Sequence, residues 1–156
     1  MIEINIPSYK KVNIENVVFD YNGTLATDGE LIEGIKEKLA DISELVNIYV
    51  ITADTFGTVR GNFRDIEVEV KIISRDNGIL DKLNFVKELG CESTIAVGNG
   101  NNDELMLKES AIGVCVLGEE GLATKALLSS DIMLRNINDF FDMIINKKRI
   151  IASLRK

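Results

Sequence analysis

Residues 17–25 read Val-Val-Phe-Asp-Tyr-Asn-Gly-Thr-Leu, an apolar run that ends in a carboxylate and turns at once through Gly23 and Thr24. An uninterrupted apolar strand of this kind is buried on both faces, which is the habit of a parallel sheet covered by helices on either side. In an open sheet of that type, ligands bind outside the carboxyl ends of the strands. Asp20 is therefore presented where a ligand would lie, and a carboxylate there can serve as the covalent nucleophile for phosphoryl transfer.

Further apolar runs repeat the pattern. Strands are expected at 16–20, 47–51, 67–73, 93–97 and 112–117, with a short apolar segment at 132–134. Helices are expected between them at 33–46, 55–63, 79–90, from the 98–103 loop to 110, and at 119–128, with a closing helix over 137–153. Residues 2–6 and 11–14 alternate as a small N-terminal hairpin, placed at the sheet edge, and residues 26–32 are too few for more than a flap. Strand–helix alternation predicts an α/β, Rossmann-like, doubly wound parallel sheet. With 156 residues, 46% of them hydrophobic, and no linker or repeat, one domain over 1–156 is the reading.

Composition excludes several chemistries. There is no histidine, so Ser-His-Asp, Cys-His and histidine-zinc sites are out of reach for this chain alone. Catalysis must come from carboxylates, amides, hydroxyls, lysines and a bound ion. A formal charge of −7 argues against a nucleic-acid partner, and no apolar run approaches the roughly 20 residues that span a bilayer. Cys91 and Cys115 have no paired spacing and suit a reducing compartment. The N-terminus lacks the basic and apolar regions of a secretory signal, so a cytoplasmic location is expected.

Four residues fall at strand ends or helix starts on the expected ligand side: Asp20, Thr52, Lys82 and Asp103. Phosphoryl transfer needs such an inventory, because its transition state spreads charge over equatorial oxygens that must be positioned and neutralised. Asp20 would attack. The Thr52 hydroxyl, the Lys82 ammonium and the N–H groups of residues 21–24 would bind phosphoryl oxygens, and Asp20 with Asp103 would hold Mg²⁺. Each has a plainer reading taken alone: Asn22-Gly23 as a turn, Thr52 or Thr55 as a helix cap, Lys82 as a solvated side chain, and the 98–103 loop as polar surface. Their joint order favours the chemical reading.

Together these residues resemble the haloacid dehalogenase (HAD) superfamily, whose first motif is Asp-x-Asp-Gly-Thr, or Asp-Lys-Thr-Gly-Thr in P-type ATPases. Asp81-Lys82, Val97 to Asp103, and Ser130-Asp131-Ile132-Met133-Leu134 look like the matching segments of the ATPase phosphorylation domain. The resemblance implies a capless HAD-type fold, with Asp20 as nucleophile and Thr52 and Lys82 as phosphate binders. It also implies Mg²⁺ on Asp20, the Asn22 main-chain carbonyl, Asn99 and Asp103. Two positions depart from the family pattern. Asn22 replaces an acid/base aspartate that contributes roughly 10²–10⁴-fold in hydrolytic members, and Asn99 replaces a metal-binding aspartate.

These features predict a Mg²⁺-dependent phosphohydrolase, slowed by Asn22, acting on a phosphorylated small molecule or macromolecule. With no cap to close the site, a homo-oligomer is expected, with the flap at 26–32 or the hairpin at 2–14 in the interface. The rival is a catalytically weak, phosphate-binding regulatory protein. A receiver-type phospho-acceptor fits less well, because no strand with an acidic pair precedes Asp20.

Overall fold

The chain opens with β1 (Ile2–Ile6) and β2 (Lys10–Ile14), paired antiparallel from Ile2 opposite Ile14 to Ile6 opposite Lys10. This computed structural model describes residues 1–54 and 57–156. The elements that follow are β3 (Asn16–Asp20), the two-residue strands β4 (Ala26–Thr27) and β5 (Glu30–Leu31), α1 (Ile35–Ser43), β6 (Asn47–Thr52), α2 (Thr58–Asn62) and β7 (Glu69–Ile72). Then come α3 (Gly78–Leu89), β8 (Thr94–Gly98), a 3₁₀ turn at Asn101–Asp103, α4 (Glu104–Glu109), β9 (Ile112–Val116), α5 (Thr124–Ser129), β10 (Ile132–Leu134), α6 (Ile137–Ile145) and α7 (Lys148–Leu154).

The central sheet has six strands in the order β10-β9-β8-β3-β6-β7, and every pairing in it is parallel. Its middle strands β3, β8 and β9 are buried at every residue, as the unbroken apolar runs require. Alternate side chains serve two layers. Val17, Phe19, Val50, Val97 and Val114 pack on one face with α1 and α6, where Phe19 meets Phe140 edge-on at 5.3 Å and stacks on Phe141 at 5.9 Å. Val18, Ile51, Ala96 and Cys115 pack on the other, against Phe85, Val86, Met106, Leu107 and Ala126 from α3, α4 and α5. From β3 the chain runs outward to β6 and β7, then returns to β8 on the opposite side. The direction of winding thus reverses between β3 and β8, and the crevice above that point is the expected ligand site.

Three local expectations change. The N-terminal hairpin does not extend the main sheet; it forms its own. It seals the amino ends of the strands instead: the Glu15 N–H donates to Ser93 O, Lys10 Nζ donates to Ala111 O, and Ile4 and Ile14 are fully buried. The helix expected at 119–128 begins only at Thr124, because Gly118 and Gly121 form a bridged turn with Gly121 at φ +88°. The closing helix breaks at Asn146 (φ −106°, ψ 75°), and the turn lets α7 run back along β1, where Lys147 Nζ donates to Glu3 O. The apolar segment at 132–134 is a true strand, the sixth of the sheet.

Candidate active site

Asp20 ends β3 at the switch point, beside the loop that leaves β8. Lys82, in the second turn of α3, reaches under it. The Lys82 ammonium lies 2.6 Å from Asp20 Oδ1 and 2.6 Å from Asp103 Oδ1. Lys82 is 1% exposed and Asp103 fully buried. The other oxygen of Asp103 accepts the N–H groups of Asn99 at 2.9 Å and Gly100 at 2.8 Å. Gly98 makes room for this, since a Cβ there would stand 2.5 Å from the Asp103 carboxylate.

Two carboxylates and one ammonium leave the triad one charge negative when all are ionised. Burial, reinforced by the Asp103 charge, raises the Asp20 pKa to about 7 against the opposing pull of Lys82 and the Tyr21 N–H. Burial alone would lower the Lys82 pKa, but the charges and hydrogen bonds of Asp20 and Asp103 outweigh it and hold the ammonium above its ordinary value. A carboxylate with a pKa near neutrality needs further positive charge nearby to be fully ionised at neutral pH.

The turn after Asp20 is tightly wound. Tyr21 O accepts the N–H groups of Thr24, Leu25 and Ala26 at 3.3, 3.0 and 3.0 Å, and the Gly23 N–H donates to Ala26 O at 2.8 Å. Gly23 sits at φ +82°, where a Cβ would lie 2.3 Å from Asn99 Nδ2, so only glycine fits. Of the four N–H groups expected to face a phosphoryl group, Tyr21, Gly23 and Thr24 are engaged within the protein, Tyr21 with Ile51 O. Among the described residues, the Asn22 N–H has no protein acceptor, and the Asn22 side chain is exposed at the cleft.

The cleft over the triad has a volume of about 530 Å³, and its lining includes Asp20, Asn22, Lys82, Asn99 and Arg75. Thr52 is not part of that lining. It is 2% exposed at the end of β6, its hydroxyl accepts the Asp54 N–H at 3.2 Å, and Ala53 takes its place at the cleft wall. Thr52 does not cap α2, whose N-cap is Gly57. The Asp54 carboxylate reaches the first turn of the helix, accepting from Thr58 Oγ1 at 2.7 Å and from the Val59 N–H at 3.0 Å, and Thr55 lies outside the described residues.

Asn99 acts as a latch. Its Nδ2 donates to Gly121 O at 3.1 Å, its Oδ1 faces the Thr24 hydroxyl at 3.4 Å, and its own carbonyl accepts the Ala123 N–H at 2.8 Å. The turn after Asp20, the β8 loop and the 118–123 turn are joined through this one side chain and its backbone. Tyr21 ties in the flap the same way: its hydroxyl donates to Gly29 O and accepts from Asn62 Nδ2.

Of the four expected Mg²⁺ ligands, the structure leaves two open. Asp20 keeps one carboxylate oxygen outside the Lys82 contact, and the Asn22 carbonyl is unengaged among the described residues. Asn99 and Asp103 are committed to protein partners. The described residues contain no cluster of three or more His, Cys, Asp or Glu suited to a metal. One carboxylate, one carbonyl and an open cleft still fit Mg²⁺, which favours few protein ligands and several waters. No helix among the described residues is long and apolar enough to cross a membrane.

No family model matches the chain. Two uncharacterized proteins of Methanocaldococcus jannaschii are related to it, at 47% identity over 78 residues (47% of this chain, 84% of that protein) and 49% over 39 residues (25% and 89%). The chain belongs to the same family as these two. A soluble P-type ATPase-like phosphatase of the same organism is 28% identical over 123 residues, covering 77% of this chain and 45% of that protein. Among solved structures, the cobalt-bound 3-deoxy-D-manno-octulosonate 8-phosphate phosphatase of Haemophilus influenzae superposes with TM-score 0.72 at 14% identity, covering 92% of this chain and 94% of that one. The Moraxella catarrhalis enzyme of that name, solved with magnesium, phosphate and its sugar acid, gives TM-score 0.65 at 17% identity, covering 91% and 94%.

Proposed function

We propose that this chain, a capless member of the haloacid dehalogenase superfamily, hydrolyses phosphate monoesters through an aspartyl-phosphate on Asp20. One observation carries the reading: at the switch point of the sheet, a buried ammonium holds one oxygen of a strand-end aspartate and leaves the other facing an open cleft.

With Asp20 Oδ1 held by Lys82, Oδ2 attacks phosphorus in line with the ester oxygen. The new P–O bond forms as the ester P–O bond breaks, and the leaving alcohol takes its proton from water. A water then attacks the aspartyl-phosphate at phosphorus, releasing phosphate and restoring the carboxylate. Lys82 keeps the nucleophile oriented and neutralises charge throughout, and Asp103 fixes Lys82. Asn22 can hydrogen-bond the leaving oxygen or the water but cannot carry a proton, so the second step is slow. Mg²⁺, held by the Asn22 carbonyl and sharing Asp20 Oδ1 with Lys82 so that Oδ2 stays free to attack, would supply the charge that the triad lacks for binding a phosphoryl dianion.

Supporting this reading are the retained nucleophile, the ammonium and the free Asn22 N–H. The Thr52 hydroxyl accepts from the Asp54 N–H and keeps its own proton to donate, but it is buried outside the cleft lining and would reach a phosphoryl oxygen only through a local rearrangement of the β6 end. The open cleft leaves room for a second copy of the chain or a macromolecular substrate to complete it. Of the two interfaces expected from the sequence, only the flap lies on the ligand side, because the hairpin closes the opposite end of the sheet. A second reading, a phosphate-binding regulator without turnover, is favoured by the commitment of Asp103 to Lys82 and the β8 loop, which leaves the metal a single carboxylate, and by that of Asn99 to the latch.

Fluorine NMR of the protein with Mg²⁺ and beryllofluoride tests the proposal. A bound-fluoride signal that vanishes in Asp20→Ala is expected. Identical spectra for the two proteins would refute the aspartyl-phosphate, whereas a signal without turnover of any ester would favour the regulator.

A further inference from the structure

We propose that Arg75 makes the cleft selective for phosphate monoesters that carry a second anionic group, which its guanidinium binds at the end of the cleft remote from Asp20. The inference rests on the phosphohydrolase reading above and names the substrate class of that site.

The cation inventory of the cleft is short. Only Lys82 and Arg75 among its lining residues are basic. Lys82 is consumed by two carboxylates at 2.6 Å each. Arg75 makes no ion pair and no hydrogen bond with any described residue, so its five donors are available. Arg75 is thus the one uncommitted cation that the described lining offers.

Its place in the sheet decides which part of a substrate it meets. Asp20 lies beside Ile51 on β6, and Thr52 lies beside Ile72 on β7. The end of β7 is therefore two strands from the nucleophile, about 10 Å at the usual strand spacing. Arg75 follows three residues later and also lines the adjoining hollow with Tyr21, Asn22 and Gly29. From that backbone position the guanidinium is suited to meet the far end of a bound ester rather than the phosphoryl group on Asp20. The segment that presents it is braced: the Ser74 N–H donates to Asp81 Oδ2 at 3.0 Å, the Asn77 N–H to Ser74 Oγ at 3.0 Å, and the Asp81 N–H to Asn77 O at 3.0 Å.

Chemistry agrees with geometry. Ala53, Ile73 and Ile79 give the intervening wall an apolar surface suited to a compact organic body. Two carboxylates flank the arginine: Asp76 on its own turn, and Asp54 across the second hollow, already accepting from Thr58 and Val59. They would repel a second anion unless the guanidinium met it directly, and a planar fork that pairs with carboxylate or phosphate can do so.

A matched pair of esters tests this: phenyl phosphate and 4-carboxyphenyl phosphate, each assayed with wild type, Arg75→Gln and Arg75→Lys. In Arg75→Gln, kcat/KM for the carboxylated ester should fall about tenfold or more, chiefly through KM, while phenyl phosphate changes less than about twofold; Arg75→Lys should lie between. Equal responses of the two esters would place Arg75 at the group they share, no response would leave it a solvated surface side chain, and either would overturn the proposal. Should wild type hydrolyse neither ester, the phosphohydrolase reading fails separately. Calorimetric binding of the same two esters to the same three proteins then decides the arginine's role, with equal affinities across the three again overturning it.

Discussion

Asn22 is exposed at the cleft two residues after Asp20, and the proposed hydrolysis would use a carboxylate in its place as acid and base. Asn22→Asp should therefore speed dephosphorylation by about tenfold or more, since a positioned acid/base group contributes at least that much. Pre-steady-state phosphate release with saturating Mg²⁺ measures it, and an unchanged rate would remove Asn22 from that position. Asn99 gives the opposite expectation. Restoring an aspartate there would turn a donor toward Gly121 O into a second acceptor. Asn99→Asp should lower stability by about 1–3 kcal/mol in metal-free urea unfolding, the cost of an unsatisfied or repelled pair. A variant as stable as wild type would show that the latch is dispensable. Lys82→Met removes the charge between two buried carboxylates and should cost about 3–5 kcal/mol near neutral pH, with partial recovery in acid.

At the scale of elements, α3 carries more than its lysine. Asp81 reaches back from the first turn of α3 to the Ser74 N–H, bracing the segment between β7 and the helix. Asp81→Ala should cost about 1 kcal/mol, as loss of a cap does, and should raise amide exchange at Ser74 and Arg75 before it affects β3. Exchange that rises uniformly would place the brace elsewhere. This shows how unevenly the site was legible in the sequence. Asp20 and Lys82 could be read, because an apolar run and a helix start fix where they point. The role of Asp103 could not, because its partners depend on a 3₁₀ turn that folds its carboxylate back onto Asn99 and Gly100. Arg75 gave no signal, being one charge in a polar turn.

For the whole molecule, the triad ties stability to pH. The folded pKa of Asp20, about 7, lies above the ordinary 3.8, so its contribution is fully present below about pH 3.8 and lost as pH rises through about 7. Without added divalent cation, unfolding free energy should therefore fall between about pH 4 and 7. Asp20→Asn should flatten that slope, and Mg²⁺ should offset it in the wild type. Urea unfolding across that range checks the point, and a slope unchanged in Asp20→Asn would assign it to other groups. Lys82 acts in the other window: its raised pKa contributes stability below about 10.5 that is lost only at higher pH.

The sequence by itself determined the architecture and the place of Asp20 in it. Unbroken apolar runs must be buried on both faces, intervening amphipathic helices cover them, and a carboxylate at a strand end faces the crevice; each follows from neighbours within a few residues. The tertiary structure alone decided what the polar groups do there. Lys82 meets Asp20 across 62 positions, and Thr24 meets Asn99 across 75. A buried polar group takes whichever partner the packing brings within 3 Å or so, and no local pattern records that choice. So Asn99, an aspartate lost by the motif, is a latch gained in the fold.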